Sequence, residues 1–116
     1  MSSRRSAAAR LETAAAPVFA ALGDPTRLGL LRRLSSEGPL SITRLSEGTG
    51  VTRQAITRHL DALESVGLVR DVRQGRERVF SLERKRLEIA QQYLAHVGAQ
   101  WDAAAARLKA FVERDE

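Results

Sequence analysis

From Leu87 onward apolar residues recur at Leu87, Ala90, Leu94, Val97, Trp101, Ala104, Leu108 and Phe111, with spacings that alternate three and four. That is an a/d seam sustained over almost four heptads, on a helix expected to begin near Arg84 and to run about 40 Å at 1.5 Å per residue. A seam of this length needs a partner helix. The chain has 116 residues, enough for one small domain and too few for two, so pairing with a second copy is one way to enlarge its core. Glu83 to Glu116 holds six basic and six acidic residues, a neutral balance that suits a protein interface better than a polyanion. The expected dimer interface is therefore Leu87, Leu94, Val97, Trp101, Leu108 and Phe111. Trp101, the one Trp in the chain, is its natural anchor because aromatic anchors dominate interface energies. The alternative for Trp101 is an intrachain core position, which needs the long helix to fold back on its own domain. Gly98, inside the seam, marks either a close approach between helices or a bend.

Upstream, residues 1–16 are polar and Ala-rich, an N-terminal arm or a helix ordered only by packing. Pro17 allows a helix to start, with Val18, Phe19 and Leu22 as its apolar face and Gly23 as its stop. Asp24-Pro25 is a strong start signal: Asp24 is the N-cap, Pro25 the first helical position, and Leu28, Leu31 and Leu34 follow at helical spacing up to Gly38-Pro39. Ser41 caps a short third helix, Ile42 to Glu47, closed by Gly48-Thr49-Gly50. Thr52 caps a fourth, Arg53 to about Val66, with Ile56, Leu60 and Leu63 on one face. Two short helices around a Gly-containing turn, the second longer and amphipathic, form the helix-turn-helix pattern. After Gly67, the β-forming stretches Leu68 to Arg73 and Glu77 to Leu82 flank Gln74-Gly75-Arg76, a hairpin in the position of a wing. The expected fold is mainly α with a small β-hairpin. It comprises an N-terminal arm or helix (1–16), a winged helix-turn-helix domain (17–82) and a C-terminal dimerisation helix (83–116).

The net charge of +5 points to a polyanionic partner, nucleic acid or an anionic membrane surface. Seventeen of the nineteen basic residues are Arg, whose planar fork of donors suits phosphate and guanine; an Arg-rich composition overall is the alternative source of that bias. The neutral C-terminal segment and its acidic end, Glu113, Asp115 and Glu116, argue against membrane binding. No window approaches a membrane span and no apolar signal region follows Met1 to Arg10, so a soluble, cytoplasmic protein is expected. With no Cys, two separated His and no glycine-rich phosphate loop, nothing supports catalysis, and no catalytic residue or cofactor is expected.

The buried direction set by Ile56, Leu60 and Leu63 leaves Gln54, Thr57, Arg58, Asp61 and Ser65 on the opposite face of the fourth helix. A recognition helix presents its N-terminal half to base edges. Gln54 can then pair with adenine, Arg58 with guanine, and Thr57 can touch a thymine methyl or a phosphate. Thr52 and Arg53, at the free N–H groups of the helix start, suit phosphate. Asp61 is awkward there unless it accepts from a cytosine amine, orients a nearby Arg or marks the groove's edge. His59 lies toward the apolar side beside Leu63 and reads as a packed, hydrogen-bonded histidine rather than a ligand. In the wing, Arg73, Gln74, Gly75 and Arg76, with Arg78 behind them, suit the adjacent minor groove or the backbone. A solvated polar helix face and a merely soluble basic hairpin are the bland alternatives.

The run Val18-Phe19-Ala20-Ala21-Leu22-Gly23-Asp24-Pro25-Thr26-Arg27 resembles the opening signature of ArsR-family regulators. Ala55 to Thr57, His59-Leu60, Leu63 and Gly67-Leu68-Val69 are similar to that family's recognition-helix signature, and Arg73-Gln74-Gly75-Arg76 resembles its wing tip. The similarity covers approximately Pro17 to Trp101. It implies a homodimeric transcriptional repressor that occludes a promoter by binding an inverted-repeat operator in double-stranded DNA. A winged-helix adaptor for protein–protein contact, without specific DNA binding, is the competing function. The family's thiolate sensors carry Cys-Val-Cys where this chain has Ser41, Ile42 and Thr43, and hydroxyls do not replace thiolates. A second family metal site draws His and carboxylates from the C-terminal helices, where this chain offers only His96. The resemblance therefore implies the DNA-binding scaffold without a metal site, and leaves the effector open.

Overall fold

The computed structural model describes residues 3–114. The outermost residues of the expected arm and of the expected C-terminal helix, 1–2 and 115–116, lie outside it. Five helices and three strands follow in the order α1 (Ser3–Leu22), α2 (Pro25–Glu37), β1 (Leu40–Ser41), α3 (Ile42–Ser46), α4 (Arg53–Ser65), β2 (Val69–Gln74), β3 (Glu77–Leu82) and α5 (Arg84–Arg114). Of the two readings of the N-terminal segment, arm or helix, the structure shows the helix. Pro17 does not start it, however, but sits within α1. A proline there removes the bond to the carbonyl four residues back, so packing must hold the helix together. Ala15, Val18 and Ala21 are buried on one side, and the Phe19 ring meets Tyr93 of α5 edge-on at 5.8 Å.

The capping signals produce the elements they mark. The Asp24 carboxylate accepts from the N–H groups of Thr26 and Arg27 at 2.8 and 3.1 Å, with Pro25 at the first helical position. Ser41 Oγ accepts from the Arg44 N–H and Thr52 Oγ1 from the Ala55 N–H, each satisfying a donor that the first turn leaves free. Gly38, at φ 84°, ends α2 by donating its N–H to the Leu34 carbonyl. In α2 the buried face is Leu30, Leu31 and Leu34; Leu28, expected to share it, is exposed, because Leu30 takes the inward position and turns residue 28 outward. Helix α3 ends at Ser46 rather than Glu47, whose backbone is already extended.

The sheet has the order β1-β3-β2, all antiparallel. Strand β1, absent from the sequence reading, is two residues long and pairs Leu40 with Phe80 and Ser41 with Val79. The wing register pairs Gln74 with Glu77, so Gln74 belongs to β2 and only Gly75 and Arg76 turn. Gly75 has φ 61° and no non-glycine residue has positive φ among the described residues, the arrangement of a two-residue turn with glycine first. Leu68 precedes the strand and is fully buried.

One core gathers Val18, Leu30, Leu34, Ile42, Leu45, Ile56, Leu60, Leu63, Leu68, Phe80 and Ala90. Leu87 packs half-buried against it, so the first turns of the expected dimer seam serve the chain's own domain. Beyond them α5 runs on without a break through Gly98, where an added Cβ would meet nothing of the described residues within 4 Å. The result is 68 Å long with a radius of gyration of 19.4 Å, where a compact chain of this length would have about 13 Å.

Candidate nucleic-acid interface

The start of α4 carries the expected DNA contacts, and the structure brings four of them together: Thr52, Arg53, Gln54 and Thr57 line one open depression on the surface. Thr52 is engaged as the cap. An Arg53 guanidinium nitrogen donates to Thr43 Oγ1 at 3.2 Å, holding that side chain beside the helix start. The Thr57 hydroxyl donates to the Arg53 carbonyl at 2.9 Å, which leaves its lone pairs and methyl for a partner. Gln54 and Arg58 are exposed, and among the described residues no hydrogen bond engages their side chains. Arg58 stands outside the depression, one turn further along α4.

Arg73, Gln74, Gly75 and Arg76 are all exposed at the tip of the hairpin. Arg78, counted with them as a basic wing residue, is not free. Its Nε donates to Asp71 Oδ2 at 2.9 Å, a terminal nitrogen donates to Asp61 Oδ1 at 3.3 Å, and the guanidinium lies over the Phe80 ring at 5.0 Å. The bond to Asp71 does most to raise its pKa above the ordinary arginine value, and the bond to Asp61 adds to it. Of the roles open to Asp61, orienting a nearby Arg is the one seen. Arg73 is the cross-strand partner of Arg78; like charges directly opposite are destabilising, and the two carboxylates on Arg78 relieve that repulsion.

His59 is packed and hydrogen-bonded, as its place on the helix suggested: its Nδ1 accepts from Arg27 Nε at 3.2 Å and lies 4.0 Å from Asp24 Oδ1. Arg27 also donates to the Ala21 carbonyl, so one side chain joins the end of α1, the start of α2 and the middle of α4. Arg33 does similar work, donating to the Arg44 and Leu45 carbonyls at the end of α3 and to Glu37. Neither role was legible in the sequence, since the partners His59, Leu45 and Arg44 lie 32, 12 and 11 positions away.

Residues 22–72 match a helix-turn-helix domain family. The HTH-type transcriptional regulator YuzN of Bacillus subtilis, itself uncharacterised, is 41% identical over 68 residues, covering 53% of this chain and 74% of that protein. An ArsR-like transcriptional regulator from Rhodococcus sp. RHA1 superposes with a TM-score of 0.73 at 37% identity, over 85% of this chain and 92% of that one. The chain belongs to the ArsR family of winged helix-turn-helix transcriptional regulators. A further neighbour, a homodimeric winged helix-turn-helix DNA-binding domain from Mycobacterium bovis, gives a TM-score of 0.63 at 28% identity over 86% of this chain and 88% of that one.

In this ArsR chain the positions of the thiolate triplet have structural occupations. Ser41 caps α3, Ile42 is in the core, and Thr43 receives Arg53. His96 is exposed on α5, and among the described residues no three His, Asp or Glu side chains gather as a metal-binding group. No helix among them is long and apolar enough to cross a membrane.

Proposed function

We propose that this ArsR-family chain is a homodimeric, sequence-specific DNA-binding repressor that occludes a promoter by occupying an inverted-repeat operator. The observation that carries the reading is the exposed, capped N-terminal half of α4 standing with a basic hairpin tip on one domain. Gln54 and Arg58 read base edges in the major groove; Thr52 and Arg53 take phosphates, and Thr57 takes a thymine methyl or a phosphate. Arg73, Gln74, Gly75 and Arg76 enter the adjacent minor groove or follow the backbone.

The dimer rests on α5. Leu94, Val97, Trp101, Leu108 and Phe111 are exposed, Trp101 by 75% and Leu108 by 65%. Monomeric proteins rarely leave so long an apolar stripe in water, and a second copy supplies the matching seam. Leu87 contributes through the smaller part of its surface that its own core leaves uncovered. The Mycobacterium bovis neighbour, described as homodimeric, supports the same assembly.

Footprinting on the DNA upstream of the protein's own gene tests the function. The expected result is a protected inverted repeat with half-site centres roughly 34–36 Å apart, bound more weakly as salt rises. Equal affinity for a scrambled duplex at moderate salt would instead support the adaptor reading.

A further inference from the structure

The recognition helix and the wing are joined by side-chain hydrogen bonds. On α4, Asp61 and Glu64 lie three residues apart and both turn to the hairpin. Asp61 accepts from Arg78 of β3 at 3.3 Å, and Glu64 Oε2 accepts from the Asp71 N–H of β2 at 3.2 Å. Strand β2 is an edge strand, so that N–H points away from the sheet and Glu64 is what satisfies it. Arg78 then spans the gap, bonded to Asp61 on one side and to Asp71 on the other, with Phe80 beneath it. The other oxygen of Asp71 is buried without a hydrogen-bond partner among the described residues, which makes the Asp71 carboxylate depend on Arg78 for its compensation.

We propose that Arg78, bridging Asp61 and Asp71, is a positioning residue that fixes the angle between recognition helix and wing, so that Arg76 at the tip meets the DNA while α4 sits in the major groove. The inference rests on the DNA-binding reading above. Arg78 acts through the hairpin and touches no base. Asp61 then has a use on a DNA-facing helix that outweighs its repulsion of phosphate.

The sign of one substitution separates this brace from simple electrostatics. A carboxylate that merely repels DNA would, on neutralisation, let affinity rise. A carboxylate that holds Arg78 would, on neutralisation, loosen the wing and let affinity fall. The experiment measures operator affinity for wild type, Asp61→Asn, Arg76→Ala and the double variant, with circular dichroism to confirm folding. Arg76→Ala is expected to weaken wild-type binding about tenfold, the scale of a good DNA contact. In the Asp61→Asn background it is expected to weaken binding less than about twofold, a non-additivity that residues without contact show only through a shared element. Arg78→Lys keeps the charge but not the two-sided fork, and is expected to reduce the effect of Arg76→Ala in the same way.

Higher affinity for Asp61→Asn with an undiminished Arg76 effect would overturn the brace, as would specificity lost at a single base pair with the Arg76 effect intact, the mark of Asp61 on a cytosine amine. In either case wild type still binds its operator, so the proposal fails while the DNA-binding reading stands. No operator binding by wild type would remove both.

Discussion

At the start of α2 the Asp24 carboxylate accepts two backbone N–H groups, and the one from Arg27 does most to hold its pKa below the ordinary 3.8. A group with a depressed folded pKa adds stability that is fully present above its unfolded pKa and lost as pH falls through the lower folded value. Asn caps a helix as well as Asp does but does not titrate. Asp24→Asn is therefore expected to be nearly as stable as wild type near neutrality and to lose less stability between pH 5 and pH 2, read by denaturant melts at each pH. An unchanged acid slope would show that Asp24 contributes nothing to it. The caps at Asp24, Ser41 and Thr52 were legible in the sequence because a cap reaches only two or three residues along the chain. Arg78 was not: its bond to Asp61 spans 17 positions and exists only once the hairpin has folded back on α4. On the proposed DNA surface Arg58 has no such tie among the described residues, and Arg58→Ala is expected to cost about 1–3 kcal/mol of operator binding and to relax the preference at one base pair. A panel of operators substituted one pair at a time reads both effects.

Among the elements, those with both a start signal and a periodic apolar face were readable, α2, α4 and the wing hairpin above all. Helix α1 was only half readable. Pro17 is a start signal by local rules, and what overrides it is the burial of Ala15 and Val18 on the domain and the contact between Phe19 and Tyr93. Strand β1 was invisible because two residues carry no period; it exists because β3 has a free edge at Val79 and Phe80. The α3 segment bears on effector response. Ser41 and Thr43 occupy the positions of the family's thiolates and their hydroxyls are engaged in capping and in holding Arg53. Zinc, cadmium and arsenite are therefore expected to leave the DNA complex intact in a titration with each ion. Stoichiometric, chelator-reversible release at micromolar metal would contradict that.

For the molecule as a whole, the elongated shape has one physical reason: past Val97, α5 carries a seam of large apolar residues that stand exposed among the described residues. The seam was legible as a period, but its division was not, because Leu87 and Ala90 share the spacing of Leu94 and Trp101 while packing on the domain's own core. Holding two winged domains at fixed spacing makes the second half-site contact intramolecular, at an effective concentration of order millimolar. Trp101→Arg places a charge where the partner seam would bury it, far from any residue proposed to touch DNA. The most direct measurement is the affinity of wild type and Trp101→Arg for the full inverted repeat and for a single half-site, with each protein's oligomeric state read by sedimentation. Wild type is expected to prefer the full site by about 10²- to 10⁴-fold, and the folded Trp101→Arg monomer to bind both sites equally and weakly. A Trp101→Arg protein that remains a dimer with undiminished preference for the full repeat would contradict the account.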